Sequence, residues 1–286
     1  GSVVAGFGGV LGPQVANVLI MLDTMVSREG AAWQRQLALE CLQEWCSQEC
    51  FGDKIKALYV SWSGVGQDDR NPLVSLSLSL ERVVQRSVGA LLQASAPPAA
   101  IQQARATAEA VGAFASSPRI RLLDAVGHSG HEPPPGMVTD VASLYVAIDC
   151  VCRLVGGIAD LCGVTPPRED EPLTMSCNPR CDVETMLLNV EVTRSIIDRT
   201  WHYSLASLQT VIVTISSPYL LAPVLRSYAS FAQACGALQL LGARDKALAP
   251  LCKSAVPGST AEGATVMLKP YNILISKVLL RLVFEL

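Results

Sequence analysis

Three histidines and ten cysteines are the side chains of this chain best suited to metal or nucleophilic chemistry. His128 and His131 stand with two residues between them on a Gly- and Pro-flanked stretch, and Cys177 and Cys181 stand on another. Together they have the donor types of a mixed zinc site, since zinc takes imidazole and thiolate ligands in pairs at short spacing. Cys177 and Cys181 meet that spacing only loosely, and Cys150 and Cys152 on a helix would point to different sides. Solvated loop histidines are the plainer reading. His202, beside Trp201 in an apolar tract, has the chemistry of a base for a cysteine or serine nucleophile, but no third group can be assigned to orient it.

Other patterns fall short of their mechanisms. Ser63-Gly64 is not a nucleophile elbow, because Ser61 stands where glycine is required. Gly6, Gly8, Gly9 and Gly12 lack the preceding strand and the later acidic residue of a dinucleotide site. Trp33, Trp45, Trp62 and Trp201 are spread as core anchors rather than as a stacking platform. Glu169, Asp170 and Glu171 sit among prolines and read as a solvated loop. No catalytic, cofactor-binding or metal-binding residue is assigned, no cofactor is expected, and the partner-binding residues are unknown. The expectation is a protein that is not an enzyme.

Composition points the same way. The chain has 286 residues, half of them hydrophobic and 16% charged, with a mean hydropathy of +0.35. About a quarter of an average domain is charged, so this chain is too apolar to be disordered. Its 22 Lys and Arg against 25 Asp and Glu give a net charge of −3, without the basic block that nucleic-acid binding needs. No uninterrupted apolar run reaches the roughly 18 residues of a membrane span. The best candidate, Val211 to Leu225, is broken by Pro218 and Pro223. Cys41, Cys150, Cys152 and Cys235 lie in helix-like apolar patterns, as buried free thiols do, and a reducing, intracellular compartment is expected.

The elements between the breakers read with helical period. Val15, Val18, Leu19, Leu22 and Met25 or Val26 form a first stripe. Leu37, Ala38, Cys41, Leu42 and Trp45 form a second, with Gln34, Arg35, Gln43 and Glu44 off it, and the two make a helical hairpin. A short helix follows around Ile55, Leu58 and Tyr59. Asn71-Pro72 is a cap and first-turn pair. Beyond it, Leu76, Leu78 and Leu80 alternate with serines like a strand, yet the run to Leu91 is too long for one, so a helix is predicted.

Residues 94–137 read as a loop-rich connection with an alanine-rich helix from Ala99 to Ala115. Val138, Val141, Tyr145, Ile148, Cys152, Val155, Ala159 and Cys162 form the clearest stripe, widened by Leu144, Val151 and Ile158 until it demands contacts on more than one flank. After a Pro- and acid-rich loop at 164–181, Asp182 caps a tract through Ile197, Trp201, Leu205, Leu208 and Ile212. Ser217-Pro218 opens a helix carrying Leu221, Leu225, Tyr228, Ala232 and Cys235, predicted to stop at Leu241-Gly242. A short helix from Arg244 to Lys253 precedes a last apolar one, Tyr271 to Leu286.

The predicted class is all-α: an irregular α-solenoid of stacked helical hairpins, armadillo- or HEAT-like, with a compact all-α bundle as the competing architecture. Residues 1–93 and 138–286 form the two helical parts. The start at Gly1 and the uncapped end suggest a piece of a longer protein. Its face bearing Leu274, Val278, Leu279 and Val283 would then be open to self-association.

Several segments, in order, resemble one family of membrane-traffic scaffolds. Leu37-Ala38-Leu39-Glu40-Cys41-Leu42 through Trp45-Cys46 is similar to the end of the domain named for homology upstream of the Sec-seven module. Tyr59-Val60-Ser61-Trp62 stands where the large Arf exchange factors carry a signature rich in tyrosine and aspartate, here without the aspartates. Leu122-Leu123-Asp124, Pro135-Gly136, and Asp149-Cys150 through Leu154-Val155-Gly156-Gly157-Ile158 resemble the Mon-two family. So do Tyr228 to Leu238, Ala243 to Ala247, Leu251-Cys252-Lys253 and Thr265 to Leu268 with Asn272-Ile273.

The resemblance implies a large cytosolic α-solenoid like the Arf exchange factors but without the catalytic Sec-seven module. It implies peripheral association with Golgi, trans-Golgi and endosomal membranes. It further implies a scaffold role in endosome-to-Golgi transport with a Dopey-family protein, a phospholipid flippase and Arf-like GTPases. Residues 1–93 would then end the upstream homology domain, and 138–286 would begin the downstream region. The regulatory region of a true Arf guanine-nucleotide exchange factor is the alternative, and a cysteine- or zinc-dependent hydrolase a lesser one.

Overall fold

The computed structural model describes residues 12–28, 30–63, 71–94, 122, 138–163, 183–214, 218–255 and 270–285. Among them the regular elements are nine α-helices: α1 (Gly12–Ser27), α2 (Ala32–Cys46), α3 (Phe51–Ser63), α4 (Pro72–Ala94), α5 (Asp140–Leu161), α6 (Val183–Thr214), α7 (Pro218–Ala237), α8 (Leu241–Ala255) and α9 (Pro270–Glu285). The all-α class is as expected. The predicted helix at 99–115, the caps Asp182 and Ser217, and the loop at 164–181 lie outside the described residues.

Capping chemistry sets the start of α4, which Asn71-Pro72 predicts, and that of α5, for which the sequence reading names no cap. Asn71 Oδ1 accepts from the Leu73 amide at 3.0 Å, and Pro72, which has no amide to satisfy, takes the first helical position. Thr139 does the same for α5, its hydroxyl accepting from the Ala142 amide at 3.1 Å. In α4 the serines that mimic a strand are absorbed by the helix. Ser77 Oγ donates to the Leu73 carbonyl at 2.7 Å, so its hydroxyl is satisfied locally while Leu73, Leu76, Leu80, Val83, Val84 and Val88 are buried.

Helix α5 is the hub. It packs against α2, α3, α4, α6 and α7, which is the multi-flank contact its wide stripe demanded. Leu144, Ala147 and Cys150 are fully enclosed, and Ile148 is 1% exposed. From the hub, contacts run outward to α1, which rests on α2, α3 and α4, and to α9, which rests on α7 and α8. One hydrophobic cluster extends from Ala16 through Ile275. Helices α4 and α5, on either side of the expected connection, pack closely on each other.

Helix α5 is also long and apolar enough to cross a membrane by length and composition, with 67% of its apolar window buried inside the protein. Asp149 and Arg153 interrupt its apolar run, and among the described residues it, rather than the tract Val211 to Leu225, is the candidate by this measure. Five covering helices account for the apolarity of most of its surface, and Asp149, Arg153 and Asp160 form the polar stripe that is left.

Polar side chains tie α2 to the hub. Ser143 Oγ donates to Gln36 Oε1 at 2.9 Å, and Gln36 Nε2 donates to Glu40 Oε1 at 3.1 Å. One turn on, Gln43 Nε2 donates to Asp149 Oδ2 at 2.8 Å. Gln43 was placed off the apolar stripe, and it serves instead as a polar contact along the stripe's edge.

Three details depart from the sequence reading. In α1, Val18 is 51% exposed and Ala16, Leu19, Leu22 and Val26 make the buried stripe. In α9, Ile275 and Leu282 are buried, Leu274, Val278 and Leu279 pack partly on the core, and of the four residues predicted for self-association only Val283 is exposed. Finally, α7 does not run to Leu241-Gly242, which instead opens α8.

The true stop of α7 is a Schellman turn. The Leu240 amide donates to the Cys235 carbonyl at 2.8 Å and the Gln239 amide to the Gly236 carbonyl at 3.1 Å, with Gln239 left-handed at φ 59°. Glycine normally fills that position. A left-handed L-residue costs roughly 1–2 kcal/mol, partly offset by glycine's greater unfolded-state freedom of about 0.5–1 kcal/mol. Gln239→Gly is therefore expected to stabilise the protein by about 0.5 kcal/mol, read as a higher urea midpoint at unchanged m.

Candidate functional site

The described residues form a cleft of about 660 Å³, within the size range of ligand pockets. Its floor is α5, which presents Cys152, Arg153, Gly156, Gly157, Asp160 and Leu161. These residues share a face because they repeat at helical spacing. One wall is the α2–α3 turn with the start of α3, through Cys46 to Asp53; the other is α7, through Pro223, Arg226, Ser227 and Ser230.

Close helix packing shapes the floor. A Cβ added at Gly157 would sit 2.8 Å from Phe51 Cδ1 and 2.9 Å from Ile55 Cδ1, and one added at Gly52 would sit 2.7 Å from the Gly157 carbonyl oxygen. The bare backbones of Gly52 and Gly157 thus let α3 lie against α5. Gly156, one residue earlier, meets nothing within 4 Å of an added Cβ; it lines the cleft rather than an interface.

Charge is divided along the cleft. Arg153 Nε donates to Asp149 Oδ2 at 2.7 Å, and its side chain remains 41% exposed. Arg226 and Arg153 both act electrostatically on the Cys152 thiol, which places the two guanidinium groups near one end. At the other, burial chiefly, and then the neighbouring Asp53 carboxylate, raise the Asp160 carboxyl above its usual range. Ser230 is 1% exposed, lines the cleft, and its hydroxyl has no hydrogen-bond partner.

The thiols beside the cleft are held protonated. Burial pushes Cys152 up to about 12 against the opposing hydrogen bond with Ser227. Cys150 is raised well above its ordinary value by its hydrogen bond with Cys46 and by burial. A thiolate is the reactive form of cysteine, so neither group is an activated nucleophile. Cys162 and Cys235 are likewise raised to about 12, chiefly by burial.

A carboxyl whose folded pKa exceeds its unfolded one binds its proton more tightly in the folded state. The penalty at Asp160 is absent below the unfolded pKa near 4 and is fully felt once pH has risen through the folded value. Asp160→Asn is expected to raise Tm at pH 7, with the gain shrinking to nothing as pH falls below about 4. Paired thermal melts at pH 3.5 and pH 7 check this. A gain equal at both would assign the effect to something other than charge.

Of the residues weighed for chemistry in the sequence, Cys152 lies on the cleft floor. His128, His131, Cys177, Cys181, the acidic run 169–171 and Gly6, Gly8 and Gly9 fall outside the described residues, and Gly12 opens α1. His202 is exposed on α6, flanked by the rings of Trp201 and Tyr203 at 5.0 and 4.8 Å between centroids. Ser61 Oγ donates to the Leu58 carbonyl. Trp45 is buried edge-on to Phe51 at 4.8 Å, and Trp201 carries Lys246 Nζ 4.8 Å from its ring centre, both as structural anchors. Among the described residues no three His, Cys, Asp or Glu side chains converge to hold a metal ion.

No sequence expectation points to the cleft, although Gly156-Gly157 between Arg153 and Asp160 is a signal. Paired glycines inside a strongly apolar helix are costly unless packing or access requires them. The chain matches no family model, no curated protein and no solved structure.

Proposed function

We propose that this chain is a non-catalytic scaffold segment of a Golgi and endosome trafficking protein of the Mon-two type, a stack of helical hairpins acting through protein–protein contacts in endosome-to-Golgi transport. What supports the reading, beside the resemblance of the segments around Leu37–Cys46, Asp149–Ile158 and Tyr228–Leu238, is the surface of the outermost helices. Val18 and Met21 on α1 are 51% and 54% exposed, and Leu280 and Val283 on α9 are 62% and 75% exposed. Contiguous exposed apolar side chains suit contact with further helices.

The test is purification of the full-length parent from cells, with identification of bound proteins. Recovery of a Dopey-family protein, a phospholipid flippase and an Arf-like GTPase, with staining on Golgi and endosomal membranes, is the expected result. A Sec-seven module in the parent with exchange activity on Arf would favour the exchange-factor reading instead. Recovery of no trafficking protein would reject both.

A further inference from the structure

The cleft over α5 has the makings of a ligand site that the scaffold reading does not use. Its two ends carry opposite charge. Arg153, paired with Asp149, and Arg226 lie toward the start of the floor and leave one net positive charge there, and Asp53 and Asp160 lie toward its end. Arg153 and Asp160 are seven residues apart on one helix, about 10 Å along its axis at 1.5 Å per residue. Between them, Gly156 offers backbone with open space above it. Beside it, on α7, the Ser230 hydroxyl is almost wholly enclosed and unpartnered, although buried polar groups are nearly always hydrogen-bonded. An unmet hydroxyl in the wall of a cleft marks a place where a polar ligand atom belongs.

We propose that this cleft binds a short extended peptide segment of a partner protein, one that carries an acidic and a basic side chain about three residues apart. The acidic group meets Arg153 and Arg226, the basic group meets Asp53 and Asp160, and the intervening backbone lies over Gly156 within reach of Ser230. Extended chain spans about 3.3 Å per residue, so three residues cover the distance between the charged ends. The missing side chain at Gly156 lets main chain approach main chain. A uniformly anionic ligand would meet the Asp53 end, and a uniformly cationic one the arginine end; like charges brought together oppose binding. The proposal needs only the cleft, and it stands whether or not the parent acts in membrane traffic.

The probe is a set of fluorescein-labelled, end-blocked hexapeptides built on Gly-Glu-Ala-Ala-Lys-Gly, titrated into the 286-residue chain and read by anisotropy. The mixed-charge peptide, in this order or with Glu and Lys exchanged, is expected to bind about tenfold tighter than its all-Glu and all-Lys counterparts, from two charge-assisted contacts. Gly156→Leu fills the floor and is expected to remove that binding while the melting curve stays intact. Equal affinity for all peptides, or binding that survives in a folded Gly156→Leu variant, overturns the proposal. Should Gly156→Leu not fold, the exposed Asp53→Lys decides. A preference moved toward the all-Glu peptide supports the site, and an unchanged preference overturns it.

Discussion

Ile148→Asp is expected to leave the chain without a cooperative fold. Ile148 sits on α5 at 1% exposure, inside the helix that five others cover. The substitution removes the burial of an isoleucine, about 1.5–3 kcal/mol, and leaves a carboxyl group surrounded by apolar side chains. An isolated ionised carboxylate in such a place is so unfavourable that the group takes up a proton instead, and even the neutral form costs several kcal/mol without a partner. Whole domains have only about 5–15 kcal/mol of stability. The sum removes most or all of it. Far-UV circular dichroism and urea unfolding are the measurements: the expected trace lacks a sigmoidal transition. The matched control is Val283→Asp, where the side chain is 75% exposed and the change is expected to stay within about 0.5 kcal/mol. Indistinguishable unfolding of the two variants would mean that α5 is not the buried hub.

Leu42, on α2 and wholly enclosed, belongs to the same class as Ile148, and both were visible in the sequence. They sit on stripes flanked by polar residues, where period alone separates inside from outside. That condition fails in α1. Its run from Val15 through Leu22 is apolar almost throughout, so several stripes of similar quality exist and only the position of α2, α3 and α4 selects Ala16, Leu19, Leu22 and Val26 over Val18. The same limit explains α9, where Ile273, Leu274, Ile275, Val278, Leu279, Leu280 and Leu282 offer apolar side chains all round. Long-range packing, not local pattern, decides which of them α7 and α8 cover.

The stop of α7 is illegible in the sequence for another reason. Glycine at 242 suggested a terminus, but the left-handed residue is Gln239, a residue type that gives no such signal. Its conformation is held by the two Schellman hydrogen bonds and by Leu240 packing on the core. The cleft was illegible for a third. Its walls come from residues about 50, 155 and 227, and no local rule brings those together. Only the glycine pair in α5 was there to be read, and a pair of glycines does not say whether it serves packing or access. The structure divides the two tasks between them.

That division makes adjacent, chemically identical substitutions differ in sign. Gly156→Ala adds a methyl group into open space and replaces a poor helix former by the best one, so it is expected to stabilise by about 0.5–1 kcal/mol. Gly157→Ala receives the same propensity gain but drives its methyl to 2.8 Å from Phe51 and 2.9 Å from Ile55. Phe51 is held by Trp45 and Ile55 is wholly buried, so neither can swing aside into solvent. Overpacking of this kind costs about 1–3 kcal/mol, and the net effect is destabilising. Gly52→Ala is harsher still, because the obstacle 2.7 Å away is the backbone oxygen of Gly157, which moves only if α3 and α5 part. Urea midpoints should therefore fall in the order Gly156→Ala, wild type, Gly157→Ala, Gly52→Ala. The double variant of Gly52 and Gly157 should lose less than the sum of the two, since helices already spread by one methyl leave room for the other, and residues in contact couple in this way. Stabilisation by Gly157→Ala would show that the two helices do not touch there, and the cleft floor would lose its geometry with them.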